Sequence, residues 1–216
     1  MTVSGTVNKS IILWLLLGAG AVFSWMNPQI TIPLMLPFIA AGFILAMISI
    51  FKKTVSPFIS PLYAITEGLV LGAISLYFER MYPGIVVNAI MLTIAVLFCM
   101  LAAYRSGVLR ATPRFKKGVI VATLAIALVY IADLLMNVFA GANFPYIHDS
   151  SMLGIAISLF IVAIASFNLI IDFDLIEQGA LRGAPKYMEW YGAFALMVTL
   201  VWLYLELLRL LSKMRN

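Results

Sequence analysis

Long apolar runs separated by short polar breaks dominate the chain. A membrane-spanning helix needs about 20 mainly apolar residues. Seven runs approach that length: Ile11–Met26, Ile32–Phe51, Leu62–Phe78, Ile85–Tyr104, Gly118–Ala140, Ser151–Ile176 and Tyr187–Leu211. Each is continuously apolar rather than alternating, so the pattern predicts α-helices and not the strands of a barrel. The breaks carry turn chemistry: Asn27-Pro28, Ser56-Pro57, Ser60-Pro61, Tyr82-Pro83-Gly84, Gly141-Ala142-Asn143 and Gly183-Ala184-Pro185. Pro33 suits a first helical turn, whereas Pro37 predicts a kink in the second run. The expected fold class is an all-α, polytopic seven-transmembrane-helix bundle, and the length suits one domain over residues 1–216.

Composition supports the same reading. Hydrophobic residues make up 64% of the 216 and charged residues 11%, against about 45–50% and about 25% in soluble domains. A soluble fold of this size leaves too much surface to hide that much apolar area. The net charge of +5 does not indicate nucleic acid, because the basic residues sit in breaks between apolar runs rather than on one face. The first run follows Lys9 like a signal peptide, yet Met26-Asn27-Pro28-Gln29 lacks a small-x-small cleavage pattern. It is therefore expected to be the first span.

The basic residues orient the chain. With the amino terminus inside, Lys9, Lys52, Lys53, Arg105, Arg110, Arg114, Lys116, Lys117, Arg182 and Lys186 lie inside. Only Arg80, Arg209, Lys213 and Arg215 lie outside, ten against four. The outer carboxy-terminal cluster runs against the rule. An even helix count, with a re-entrant last segment, is the second topology.

The nine acids carry the candidate chemistry, because a charge in the bilayer costs several kcal/mol unless paired or hydrated. By depth, Glu67, Asp172, Asp174 and Glu189 fall within about two turns of the inner surface. Asn88, Asp133, Asn137 and Glu206 fall in the outer half. Between the layers the helices are apolar, relieved by Gly72, Thr93 and Ser158. Two polar vestibules around an apolar constriction would give a pore that closes by dewetting. Asp172 and Asp174 point about 200° apart on their helix. One can face the bundle while the other turns toward Lys52, Lys53, Arg182 or Lys186. Close carboxylates raise each other's proton affinity. Plainer roles stand beside these: interfacial acids at Asp172 and Asp174, a local Glu206–Arg209 pair, and a first-turn acid at Glu189.

Other features read as structural. Cys99 is expected to pack as a small hydrophobe, and the lone His148 to be a solvated loop residue. Gly18-Ala19-Gly20-Ala21, Ala40-Ala41-Gly42 and the G-x-x-x-G of Gly68 and Gly72 suit close helix packing. No G-x-S-x-G or H-E-x-x-H motif is present, so the chain is not expected to be an enzyme.

Several stretches together resemble the transmembrane Bax inhibitor motif family. They are Tyr63-Ala64-Ile65-Thr66-Glu67-Gly68-Leu69-Val70-Leu71-Gly72, the basic loop before the fifth run, Phe173-Asp174-Leu175-Ile176, and the ending Leu203-Tyr204-Leu205-Glu206-Leu207-Leu208-Arg209. The resemblance covers nearly the whole chain. It implies a bundle with a central last helix and a pH-sensitive calcium leak across a membrane. It also implies an aspartate pair that senses pH and a basic residue after the second helix that locks the closed state. Asp174 matches the first aspartate, and Lys52 or Lys53 the basic residue. The second aspartate is missing, since Thr199 stands there; Asp172, Glu67, Glu189 or Glu206 are the candidate substitutes.

Three functions fit these features. The first is a calcium leak gated by protonation of Asp174, Asp172, Glu67, Glu189, Glu206 or Asp133, with calcium held transiently at Asp174 and Asp172. The second is a proton-coupled cation exchanger. The third is a non-transporting scaffold that modulates membrane-protein partners. Calcium ions, protons and membrane lipid are the expected partners, with no cofactor. A cell membrane, the bacterial inner membrane in particular, is the expected location.

Overall fold

A computed structural model describes residues 1–141 and 149–215. His148 and the Ala142-Asn143 part of the fifth break lie outside them. Every regular element among the described residues is helical. In chain order they are α1 (Val3–Met26), the single turn α2 (Pro28–Thr31), α3 (Met35–Phe51), a 3-10 turn at Lys53–Val55, α4 (Ser56–Met81), α5 (Ile85–Arg105), α6 (Pro113–Ala140), α7 (Met152–Leu181) and α8 (Tyr187–Arg215). Six of these are long and apolar enough to cross a membrane. The seventh, α3, has 17 residues, about 26 Å at 1.5 Å per residue, at the short end for a span. A polytopic helical membrane bundle fits, as the apolar runs predict.

Several boundaries differ from the sequence reading, each for a local reason. Helix α1 starts eight residues before Ile11, because Thr2 caps it by accepting the Gly5 N–H at 2.9 Å. Ser60-Pro61 is not a break. Helix α4 runs through it from Ser56, and Pro61 sits in the second turn. Pro37 is not a mid-helix kink. It is the third residue of α3, where an N–H has no intrahelical partner to lose. Pro33 lies just outside α3, in the turn before it. The breaks at Gly84 and Gly183 hold, with φ of 81° and 62°, a region that favours glycine. Helix α8 is unbroken over 29 residues, about 43 Å long, which argues against a re-entrant last segment.

Packing divides the chain into two compact units. The first comprises Met1–Pro83 and Asp174–Val198, the second Gly84–Phe173 and Thr199–Asn216. In the first unit α1 and α4 meet backbone to backbone. A Cβ added at Gly68 would lie 2.2 Å from the Leu17 carbonyl oxygen, and one at Gly72 2.3 Å from that of Ala21. Gly20 faces the Ile65 carbonyl in the same way, at 2.7 Å. The G-x-x-x-G of α4 and the Gly18-Ala19-Gly20-Ala21 stretch of α1 are thus two sides of one seam, the small-residue solution to packing in lipid. Tyr63 and Phe194 close the other side of α4 edge to face, 5.1 Å between centroids.

In the second unit α6, α7 and α8 share an apolar cluster of Ile126, Ile161 and Ile164, with Phe167 and Trp202 packed on it. The α8 residues of this unit include Leu200, Leu203 and Leu208, all almost fully inaccessible. Helices α5 and α6 bury only 17% of their spans, against 56% for α4 and α8, so most of their side chains face outward. Cys99 follows that pattern. It is exposed on α5 rather than packed inside, a correction to the expectation.

The glycine seam predicts a stability series. Gly68→Ala and Gly72→Ala should each cost about 1–3 kcal/mol, the usual penalty for overpacking. Gly18→Ala, with open space around the new Cβ, should be neutral or stabilise by up to about 1 kcal/mol. Thermal unfolding in detergent measures all three.

Candidate functional site

Polar positions on two helices of the second unit recur every seven residues, about two helical turns. On α6 these are Thr123, Tyr130 and Asn137; on α8, Thr199, Glu206 and Lys213. Helix α7 supplies Ser158, Asn168 and Asp172. Side chains from the different helices meet in pairs. The Asn168 amide donates to the Thr123 hydroxyl at 2.8 Å and to the Ile164 carbonyl at 2.9 Å. Thr199 hydrogen-bonds the Asp172 carboxyl. The Tyr130 hydroxyl donates to Glu206 Oε1 at 2.8 Å. The Lys213 ammonium donates to the Ser158 hydroxyl at 2.8 Å and the Gly154 carbonyl at 3.0 Å. From Thr199 to Lys213 the seam runs about 21 Å along α8.

The seam has two polar ends. Asn168, Thr123, Asp172 and Thr199 form the inner one. Tyr130, Glu206, Arg209, Lys213 and Ser158 form the outer one. Ile126, Ile161, Ile164 and Trp202 lie between them along the helices. Of the acids sorted by depth, this unit brings Asp172 and Glu206 to the two ends of one seam.

The acids differ sharply in how they are matched. Glu206, 2% exposed, is satisfied twice. Arg209 pairs with it at 3.2 Å as the spacing suggested, and Tyr130 bonds it from α6. The guanidinium also stacks on Tyr130, 4.9 Å from the ring centroid. Asp172, 8% exposed, is matched on one side only. Its Oδ2 is buried and has no hydrogen-bond partner among the described residues. A buried carboxylate oxygen without a donor costs free energy until a proton or a cation meets it. Asp133 is buried on α6 and makes a polar contact of its own. Asn88 is exposed on α5.

In the first unit the acids are held by local partners. The Tyr63 hydroxyl, one turn earlier on α4, donates to the Glu67 carboxyl, and Gly42 of α3 leaves room for the carboxylate. Glu189 stands in the first turn of α8, as expected, but it also anchors the start of α1. It accepts the Thr2 N–H at 2.9 Å and the Thr2 hydroxyl at 3.2 Å, with Lys9 at 3.8 Å. Gly5 provides the space, since a Cβ there would fall 2.4 Å from that carboxyl group. The Met1 ammonium donates to the Ala184 carbonyl beside it. Asp174 is half-buried and engaged in polar contact. Lys52 and Lys53 are exposed. Lys53 lies over the Tyr191 ring at 4.9 Å, and neither lysine forms an ion pair among the described residues. Nor do the described residues include a group of three or more His, Cys, Asp or Glu able to hold a metal ion.

A family model described as Bax inhibitor 1 like matches residues 1–216. The chain belongs to that family. Comparison with curated proteins and with solved structures found no match. Membership of the Bax inhibitor 1-like family agrees with the resemblance seen in Tyr63–Gly72 and Phe173–Ile176, and with a multi-pass membrane protein. Thr199, which stands where the family resemblance implies a second aspartate, touches Asp172. The spacing of Asp172 and Thr199 in sequence gave no hint of that pairing. Tyr130 and Lys213 were missed as well. Their seven-residue register with Thr123 and Glu206 is the signal that finds them.

The outer cluster predicts a measurable cost. Tyr130→Phe removes a donor from a buried carboxylate and should destabilise by about 1–3 kcal/mol. The same change at exposed Tyr77 should stay within about 0.5 kcal/mol. Thermal or denaturant unfolding in detergent compares the two.

Proposed function

We propose that the chain is a pH-sensitive calcium leak of its membrane, gated by protonation of Asp172. The observation that carries this reading is the buried Asp172 Oδ2, which no donor among the described residues meets. A proton on that oxygen makes the inner end of the seam neutral. Loss of the proton leaves a charge that a passing cation can neutralise. Proton and cation therefore compete for one oxygen, and the apolar cluster of Ile126, Ile161, Ile164 and Trp202 supplies a constriction that opens when it wets. Thr199 donates a hydrogen bond without adding charge, so a single carboxyl serves where two are implied for the family. Asp174 and Glu67, both residues of the other unit and both engaged in polar contact, tune the response in this reading rather than carry it. Lys52 and Lys53 stand where the family's closing basic residue is implied.

Reconstitution in liposomes with an enclosed calcium dye tests the reading. Wild-type flux should change with pH. Asp172→Asn should hold flux constant over the same range, while Asp174→Asn should keep the pH response. Thr199→Asp, which sets a second carboxyl beside the first, should split the response into two steps. Calcium driven uphill by an imposed pH gradient would identify a proton-coupled exchanger instead. No flux at any pH would overturn the reading and favour a non-transporting scaffold.

A further inference from the structure

Lys213 is the most unusual side chain of the second unit. Lysines are almost never buried without a partner of opposite charge, and an ammonium within a membrane helix is costly. Yet Lys213 is 5% exposed and forms no ion pair among the described residues. Its two hydrogen-bond acceptors are neutral oxygens of α7: the Gly154 carbonyl at 3.0 Å and the Ser158 hydroxyl at 2.8 Å. Glu206 and Asp149 act on it as the neighbouring negative charges and Arg209 as the positive one. Ser158 is itself 1% exposed. The Ser151 hydroxyl accepts the Gly154 N–H at 3.2 Å, which fixes the start of the helix that presents these oxygens.

A backbone carbonyl and a hydroxyl converging on one positive centre are the ligands that replace water around an alkali cation in a selective pore. A carbonyl oxygen has two lone pairs, so the Gly154 oxygen can serve its helix and a cation together. The ammonium thus sits where a small desolvated cation would sit, at the outer end of the seam that begins at Asp172.

We propose that the Lys213 ammonium is a tethered cation: it fills an oxygen-lined site for a small monovalent cation, formed by Gly154 and Ser158, and so bars cations from the outer end of the seam. The site rests on the cation-leak reading for its role in transport, but its occupancy is independent of that role. Shortening the side chain empties the site and leaves its oxygens to bind a free cation. Removing only the charge lifts the barrier and leaves a hydrogen-bond donor in place.

Two variants of the full chain test this in detergent and in liposomes. In detergent, Lys213→Ala should melt lower than wild type and regain stability with added methylammonium or sodium, but not with the bulky N-methylglucamine cation. Wild type should respond equally to all three. Binding to the folded state alone raises stability with ligand concentration, so the rescue should grow with methylammonium concentration. In liposomes, Lys213→Gln should pass cations roughly tenfold faster than wild type, about the effect of 1.4 kcal/mol off a barrier. A Lys213→Ala protein indifferent to every cation would show the amine to be a strut between α7 and α8, and would overturn the proposal. If Lys213→Ala does not fold, the Lys213→Gln flux decides alone, and a rate equal to wild type overturns the proposal. Absence of flux from wild type and variant alike would sink the leak reading and leave the methylammonium rescue to judge the site.

Discussion

A carboxylate enclosed by apolar helices must be matched, and the way each acid is matched organises this molecule. Glu206 meets an arginine and a tyrosine. Glu189 meets a backbone N–H, a hydroxyl and a lysine. Glu67 meets the tyrosine one turn before it. Asp172 alone of these four keeps a buried oxygen with no partner. The cost of desolvating a bare carboxylate far exceeds what one hydroxyl returns. In the proposed reading that imbalance makes Asp172 the acid, among these four, at which a proton or a cation acts.

The remaining architecture keeps this imbalance in place. Close backbone contact between α1 and α4 at Gly20, Gly68 and Gly72 leaves no room for side chains to slide there. The first unit therefore closes on van der Waals contact, the main attraction between helices in lipid. In the second unit the polar pairs run along α6, α7 and α8 on either side of an apolar cluster. Hydrogen bonds between those helices fix their register, so the side chains lining the seam face one another. Glu189 adds a fastening by gathering the start of α1 onto the start of α8.

Much of the fold was legible because lipid imposes simple rules. Continuous apolar runs gave seven helices, and the turn residues at Tyr82-Pro83-Gly84 and Gly183 gave their ends. What the runs hid were polar extensions. Thr2 caps α1 and Lys9 belongs to it, and both side chains have partners on α8, which a hydropathy pattern cannot register. Pro37 misled because proline breaks a helix only where its missing N–H would have been used, and it lies in the first turn of α3; Pro61 lies in the second turn of α4, which continues through it at the loss of one backbone bond. The site was half legible. Depth singled out the acids and separated the inner ones from the outer ones. It could not show which acid has no donor, because that depends on Thr199 and Tyr130 arriving from other helices. Lys213 was counted only as one of the outer carboxy-terminal basic residues, whereas it is buried and bonded to Gly154 and Ser158.

The central claim is that a proton and a cation compete for the one unmatched oxygen of Asp172. Infrared difference spectroscopy of the reconstituted chain reports on this directly, through the C=O stretch that only a protonated carboxyl shows. A carboxyl band that fades as calcium is added at constant pH, and that is missing from Asp172→Asn, is the predicted result. A band that ignores calcium, or that survives unchanged in Asp172→Asn, would contradict the account.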